Sequence, residues 1–290
     1  MSLILNGKNP ESITINGKAV ESLSVNGDIV WPVIPSGPDY VYIQNEYNGS
    51  NNITIKKVNS PTGGTDLSYS LDGNNWTQCT YDSNGECIVN LDSLGDKVYL
   101  RSSTGLNSYT NYYNILGEHD HSVGGDLRTL IDYNVTNPTM DSYAFYCLFY
   151  QDLTLISANR LNFSGFTTLA RGCYWAMFMG CESLIEVAEL PATTLVSYCY
   201  TSLYNGCISL TTAPVLPATT LEDYCYDRMY VGCSNLNKIT IYAQDISARN
   251  CLRNWLHNVA ASGDFYNLGG ATYPSGASGI PEGWTEHTSL

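Results

Sequence analysis

The sequence predicts a multidomain, mainly β protein with an N-terminal β-hairpin arm, a β-sandwich and a C-terminal solenoid of strand–helix repeats. Three observations support this prediction. A short motif ending in Asn-Gly recurs every ten residues near the start, alternating apolar and polar residues fill 40–116, and a 26-residue repeat follows. The 290 residues of the chain suffice for an arm and two domains.

The arm spans residues 1–31. The segments SLILNGK, SITINGK and SLSVNGD begin at Ser2, Ser12 and Ser22, and each is a short alternating strand that ends in Asn-Gly. Asn-Gly favours the tight turn of a β-hairpin. Because a few short strands are only marginally stable alone, we expect this arm to serve attachment or oligomerisation and the protein to form a homo-oligomer.

The second predicted domain spans residues 40–116 and follows the Pro-rich segment WPVIPSGPDY, which reads as a stiff linker. The stretches YVYIQN, NITIKKV, DLSYSLDGNNWTQCTY, ECIVNL and KVYLRS alternate apolar and polar residues, with Gly and Asn between them. This pattern is typical of a small β-sandwich.

The third predicted domain spans residues 126–290, and its repeats cover about Tyr143 to Ile241. LPATTLVSYCYTSLYNGC begins at Leu190, and LPATTLEDYCYDRMYVGC follows 26 residues later. Apolar residues four apart in each copy predict one stripe on a short helix. With a short strand before it, each repeat is expected to form one coil of a solenoid, and the segment SARNCLRNWLHNVAASG is expected to form a helix that caps the last coil.

The repeat pattern C-x-x-L…L-P-x-x-x-L…[MLF]-[FY]-x-x-C resembles the leucine-rich repeats of the bacterial BspA type. The match rests on Cys181, Leu184, Val187, Leu190, Pro191, Leu195, Leu203, Tyr204, Cys207 and their equivalents 26 residues on. Proteins that look like this are surface adhesins of Bacteroidetes and related bacteria, or virion proteins of phages that infect them. The short xxIxINGK modules of the arm resemble those at the front of phage tail and fibre proteins.

The repeat cysteines are expected to be reduced and buried. Cys199 and Cys207 would lie roughly 12 Å apart along a helix axis, and neighbouring helices lie about 8–10 Å apart, which is too far for a disulfide. Cys79 and Cys87 flank an Asn84-Gly85 turn and could face each other across a hairpin. Both a disulfide and two reduced thiols fit that position, and we favour the reduced thiols.

Composition argues against several function classes. The formal net charge is −14 without a basic cluster, so nucleic acid is not expected as a partner. No apolar run approaches the length of a membrane span, so membrane insertion is not expected. His119 and His121 in EHDH could hold a metal ion, but a solvated linker is favoured. Without a placed carboxylate pair or a phosphate-binding or nucleophile motif, we expect no enzyme, cofactor or metal.

Tyrosine is abundant, with 23 residues against 6 Phe. Tyrosine offers an apolar face and a hydroxyl, which suits recognition surfaces. On a repeat helix, several tyrosines would lie about 100° from the buried stripe. The candidate ligand-binding residues are Tyr174, Tyr198, Tyr200, Tyr224 and Tyr226. Because the acidic chain would repel acidic polymers, we expect a neutral glycan or a protein of the host surface as the ligand.

The function expected from these observations is that of a phage virion structural protein, a fibre or tail surface component assembled in the host cytoplasm. Its arm would bind other virion proteins, and its repeats would bind the bacterial host surface. The start MSLILNGKNP shows no secretory signal, which favours this function over the alternative, an exported adhesin or glycan-binding protein at the cell surface. A glycan-cleaving tail protein is the third hypothesis.

Overall fold

The computed structural model describes residues 39–59, 67–106, 108–166 and 168–290, and within the first 38 residues it describes four short strands. The chain divides into two compact units, Met1–Asp39 and Tyr40–Leu290. In the first unit, the strands form two antiparallel pairs. These are β1 (Thr14–Ile15) with β2 (Lys18–Ala19), and β3 (Leu23–Val25) with β4 (Asp28–Trp31).

The pairs of the first unit lie where the ten-residue motif predicts hairpins. Asn16-Gly17 separates β1 from β2, and Asn26-Gly27 separates β3 from β4. The first copy of the motif, at Ser2–Lys8, lies outside the described residues. Attachment and oligomerisation through residues 1–31 stay predictions.

The described residues of the second unit form three sheets. Its elements are β5 (Val41–Asn45), β6 (Asn51–Val58), β7 (Ser68–Ser70), β8 (Thr77–Gln78), β9 (Glu86–Leu91), β10 (Lys97–Arg101), β11 (Tyr112–Gly117), β12 (His121–Asp126), α1 (Thr129–Asp132), β13 (Leu155–Asn162), β14 (Glu186–Val187), β15 (Lys238–Ile241), β16 (Gly263–Asn267) and β17 (Trp284–His287). The strand orders are β14-β13-β12-β5-β10-β7-β8, β11-β6-β9 and β15-β16-β17.

The first two sheets share one hydrophobic core. Alternation along β6 buries Ile53 and Ile55, and alternation along β10 buries Val98 and Leu100. The larger sheet continues beyond residue 116, because β12 pairs antiparallel with β5 on one side and parallel with β13 on the other. The predicted domains 40–116 and 126–290 therefore belong to one compact unit, and their predicted junction lies within a sheet.

The predicted strand–helix solenoid is wrong. Strands make up 29% of the described residues and helix 2%, and α1, the one helix among them, precedes the repeats. The segments predicted to be helices, including the C-terminal cap, consist of consecutive turns. We call 142–151, 171–180, 197–206, 223–232 and 249–258 the turn segments. Within the described part of the chain, no helix is long and apolar enough to cross a membrane.

Each turn segment changes backbone conformation with a period of four residues. The φ angle is positive at every fourth residue, as at Ala176 (54°) and Gly180 (80°). Alternate N–H groups close local turns: that of Met177 donates to the Tyr174 carbonyl at 3.2 Å. The remaining N–H groups donate to carbonyls of the next turn segment. For example, the Ala176 N–H donates to the Thr201 carbonyl at 2.9 Å. The backbone groups are thus paired without a helix, and successive repeats lie side by side in register.

Because the backbone conformation repeats every four residues, each set of four residues places two adjacent side chains in the hydrophobic core. In the segment 197–206, the buried hydrophobic pairs are Cys199 with Tyr200 and Leu203 with Tyr204. The rings of successive segments form two stacked ladders with centroid separations of 5.5–6.3 Å. One contains Phe149, Phe178, Tyr204 and Tyr230, and the other contains Phe145, Tyr174, Tyr200, Tyr226 and Trp255.

All ten cysteines are free and buried. In the repeats, the thiol of Cys207 donates to the Phe178 carbonyl at 3.2 Å, and burial raises the pKa of the Cys233 thiol to about 12. Cys79 and Cys87 are free thiols that hydrogen-bond to each other, and this bond raises the pKa of Cys79 and lowers that of Cys87 to about 7.

Candidate functional site

The structure separates the five candidate tyrosines into two groups. Tyr174, Tyr200 and Tyr226 are 0%, 2% and 1% exposed and lie in a buried ring ladder. They do not fit a binding role, because a ligand in solvent cannot reach them. The helix expected from the sequence would have turned them outward, whereas the four-residue period turns them inward. Tyr198 and Tyr224 lie half-buried at the surface.

Tyr198 and Tyr224 belong to a continuous surface cluster of aromatic rings. The Tyr198 and Tyr224 rings stack at 4.6 Å with an interplanar angle of 5°, and Trp175 stacks on Tyr198 at 5.6 Å. Trp175 in turn contacts further tyrosines near the first turn segment. We call Tyr109, Tyr143, Tyr146, Trp175, Tyr198 and Tyr224 the aromatic strip.

The left-handed positions of the turn segments place several of these rings. Tyr143, Tyr198 and Tyr224 occupy equivalent positions, with φ of 64°, 65° and 59°. In the second turn segment, the equivalent position is occupied by Gly172. A Cβ atom on this glycine would lie 2.6 Å from the Tyr143 ring. Gly172 therefore leaves the space that the Tyr143 ring fills, and Trp175 continues the strip toward Tyr198.

Three arginines border the strip. The Arg171 guanidinium lies 4.3 Å from the Tyr198 ring centre, and those of Arg253 and Arg249 lie 5.4 and 5.6 Å from the Tyr224 ring centre. Asp227, which is buried, holds Arg253 by two bonds of 2.6 and 2.9 Å. Cations over aromatic faces are attracted to them, so these arginines help to hold the rings of the strip in place.

The two ends of the aromatic strip differ in what they present to solvent: ring edges at the Tyr198 end, and the face of an exposed ring at the Tyr109 end. Tyr198 lies between Trp175 and Tyr224, so its faces are covered and it presents its edge and hydroxyl. Tyr109 is 53% exposed and only tilts against its neighbours, at 44–50°. The face-on stacking of sugars that the sequence predicts for tyrosine thus fits Tyr109 better than Tyr198 or Tyr224.

The predicted polar linker around the histidines is wrong. His121 lies in β12 and is fully buried, with Nε2 2.9 Å from Asp152 Oδ2 and Nδ1 3.0 Å from the His119 carbonyl. Burial lowers the pKa of His121, but the charge and hydrogen bond of Asp152 outweigh it, so the pKa is raised. Among the described residues, no group of three or more His, Cys, Asp or Glu side chains could hold a metal ion.

Sequence reasoning missed four members of the strip and Arg171. Tyr143 could have been found, because it aligns with Gly172 at the 29-residue offset of the first repeat and then with Tyr198. Nothing in the repeat pattern points to Tyr109, which precedes β11 and meets the repeats only in the folded chain.

No protein-family model matches the chain, and searches of curated proteins and of solved structures found no match.

Proposed function

We propose that this chain is a phage virion structural protein, a fibre or tail surface component that binds the bacterial host surface through the aromatic strip. The strip is the observation that carries the proposal. Tyr, Trp and Arg are the residues most enriched where binding energy concentrates, and contiguous apolar patches on a protein surface often mark interaction sites. Here Trp175, Tyr198 and Arg171 lie together at the surface.

The division of the chain into two compact units is consistent with two separate functions, attachment and host recognition. Met1–Asp39 forms its own unit, separate from the unit that carries the strip. We assign attachment to other virion proteins, and self-association, to residues 1–31, and host recognition to the second unit. Several copies on one particle would strengthen weak binding to a repetitive surface, because linked sites bind with a high effective concentration.

The proposal is tested by measuring binding of the labelled full chain to host cells by flow cytometry. The double variant Tyr198→Ala/Tyr224→Ala should bind at least about tenfold more weakly, since hot-spot aromatics contribute 2 kcal/mol or more. Tyr242→Ala is the matched control, because Tyr242 is 38% exposed and lies outside the strip. Thermal unfolding should show that the double variant stays folded, losing about 1–3 kcal/mol for two stacked rings.

Two results would overturn the proposal. Undiminished binding by a folded double variant would show that recognition lies elsewhere on the molecule. Failure to detect the chain by mass spectrometry in purified particles, with detection in the bacterial envelope instead, would favour an exported adhesin over a virion component.

A further inference from the structure

A polar cleft opens beside the exposed end of the strip. Residues 103–105 form one wall and residues 131–141 form the other, and they enclose about 370 Å³. A second cavity of about 230 Å³ adjoins it and shares Thr104, Gly105, Ile131 and Asp141 with it. The larger volume lies within the range of small-molecule sites, about 300–1,000 Å³.

The walls of the cleft are held by backbone hydrogen bonds. The Gly105 N–H donates to the Ile131 carbonyl at 2.7 Å, and the Tyr133 N–H donates to the Ser102 carbonyl at 3.0 Å. The Asp132 carboxylate accepts the Asn134 N–H at 2.9 Å, which fixes the turn that follows α1. A cleft built in this way is preorganised, which reduces the entropic cost of binding.

The chemistry of the lining points to a polyhydroxyl ligand without negative charge. Ser103, Thr104, Asn137 and Thr139 supply hydroxyl and amide groups, and Asp132 and Asp141 supply carboxylates. None of the described lining residues is Lys, Arg or His. The nearby cation, Arg128, donates to Asp126 at 2.9 Å and to the Thr136 carbonyl at 2.7 Å. Carboxylates accept hydrogen bonds from hydroxyl groups and repel other anions.

Tyr109, the open ring of the strip, directly follows a residue that lines the second cavity. The second cavity is lined by Ser108 and Ala144, which are the chain neighbours of Tyr109 and Tyr143. The rings of these two tyrosines are 5.2 Å apart. A ligand longer than the two cavities would pass Ser108 and reach the exposed Tyr109 ring, whose apolar face suits the CH groups of a sugar.

We propose that the cleft binds one end of a neutral oligosaccharide, with sugar hydroxyls donating to Asp132 and Asp141 and one sugar ring resting on Tyr109. This inference rests on the proposed function and specifies its ligand class and site. The rest of the glycan would run along the strip, where Tyr hydroxyls and Arg171 supply further hydrogen bonds. Sugars that carry carboxylate, sulfate or phosphate groups are excluded from the cleft by its two aspartates.

The test is an array of immobilised neutral, carboxylated and sulfated oligosaccharides probed with the full chain. We expect binding to neutral members only. Asp141→Ala and Tyr109→Ala should each weaken it by about tenfold or more, because a hydrogen bond to a charged group contributes about 1.5–3 kcal/mol and an aromatic contact is comparable. Glu222→Ala is the matched control, since Glu222 is an exposed carboxylate that does not line the cleft.

The outcomes separate this inference from the proposed function. An array signal confined to acidic sugars, no array signal at all, or full binding by folded Asp141→Ala and Tyr109→Ala variants would each overturn the cleft assignment. If Tyr198→Ala/Tyr224→Ala still abolished cell binding, the proposed function would stand without the cleft. If the wild-type chain did not bind host cells, the proposed function would fail.

Discussion

At the scale of single residues, Asp152 shows how one change within a repeat alters the chemistry of the core. Its equivalents in the later repeats are Cys181, Cys207 and Cys233, whose thiols donate to backbone carbonyls of the preceding turn segment. Asp152 instead pairs with His121 from a distant strand, and both side chains are buried. The Thr154 hydroxyl also donates to Asp152 at 3.1 Å. Buried charges persist only when they are paired and hydrogen-bonded in this way.

This pair should make the stability of the protein depend on pH. Because the folded pKa of His121 is raised, its contribution is fully present below the unfolded pKa of about 6.5 and is lost as pH rises through the folded pKa. We expect urea unfolding to give a smaller free energy at pH 8 than at pH 6. Asp152→Asn should remove this His121 contribution to the slope and cost about 3–5 kcal/mol, because it leaves a buried partner unpaired.

The control is His287→Asn. His287 also pairs with an aspartate, Asp264 at 2.7 Å, but both side chains are partly exposed, so its removal should cost about 1 kcal/mol or less. Titration of all groups except His121, Asp152 and His287 is common to the three proteins and cancels in the comparison. An equal slope in wild type and Asp152→Asn would contradict the assignment of the pH dependence to His121.

At the scale of elements, the turn segments show what periodicity can and cannot predict. Four residues carry an α-helix about 40° past one full turn, so spacings of four fit a helix approximately. The adjacent buried pairs, such as Cys199 with Tyr200, are the signal that favours a strict four-residue period. That conformation depends on hydrogen bonds to neighbouring repeats, as from Ala176 to Thr201. The sequence of a single repeat carries no signal for these hydrogen bonds between repeats.

Where local pattern suffices, the sequence predicts structure well. Alternation along β6 buries Ile53 and Ile55 and leaves Thr54 half-buried, as the NITIKKV pattern indicates. Asn16-Gly17 separates two paired strands. The candidate site was predictable only in part: Tyr198 and Tyr224 follow from the repeat. The burial of Tyr200 and the arrival of Tyr109 both depend on tertiary structure.

Arg228 allows a test that distinguishes a turn segment from a helix. It is exposed and has φ of 53°, a conformation that costs an L-residue about 1–2 kcal/mol and glycine little. We expect Arg228→Gly to raise the free energy of unfolding by about 1 kcal/mol and Arg228→Val to lower it. In a helix, Arg228→Gly would lower it by a similar amount. Denaturant unfolding measures the sign directly.

Glu222→Gly serves as the reference for this comparison. Glu222 is exposed and lies outside the left-handed region, so glycine there should destabilise the protein by about 0.5–1 kcal/mol. If Arg228→Gly destabilised the protein as much as Glu222→Gly does, the four-residue turn conformation would be refuted.

At the scale of the whole molecule, the candidate site draws on both regions that the sequence assigns to separate domains. Tyr109 and one wall of the cleft precede β11, whereas Tyr143 and Trp175 belong to the turn segments. The seven-stranded sheet crosses the predicted junction and makes Tyr40–Leu290 one compact unit. Rigid placement of the strip beside the cleft follows from this continuity, and preorganised sites lose less entropy on binding.

The claim that this surface recognises the host is tested most directly by hydroxyl-radical footprinting of the full chain, free and bound to host cell envelopes. Radicals oxidise accessible aromatic side chains, so mass spectrometry reports each ring separately. We predict lower oxidation of Tyr109, Trp175 and Tyr198 in the bound state. Tyr47 and Tyr242, which are exposed elsewhere, should react equally in both states. Unchanged oxidation along the aromatic strip, with protection at Tyr47 or Tyr242 instead, would contradict the account.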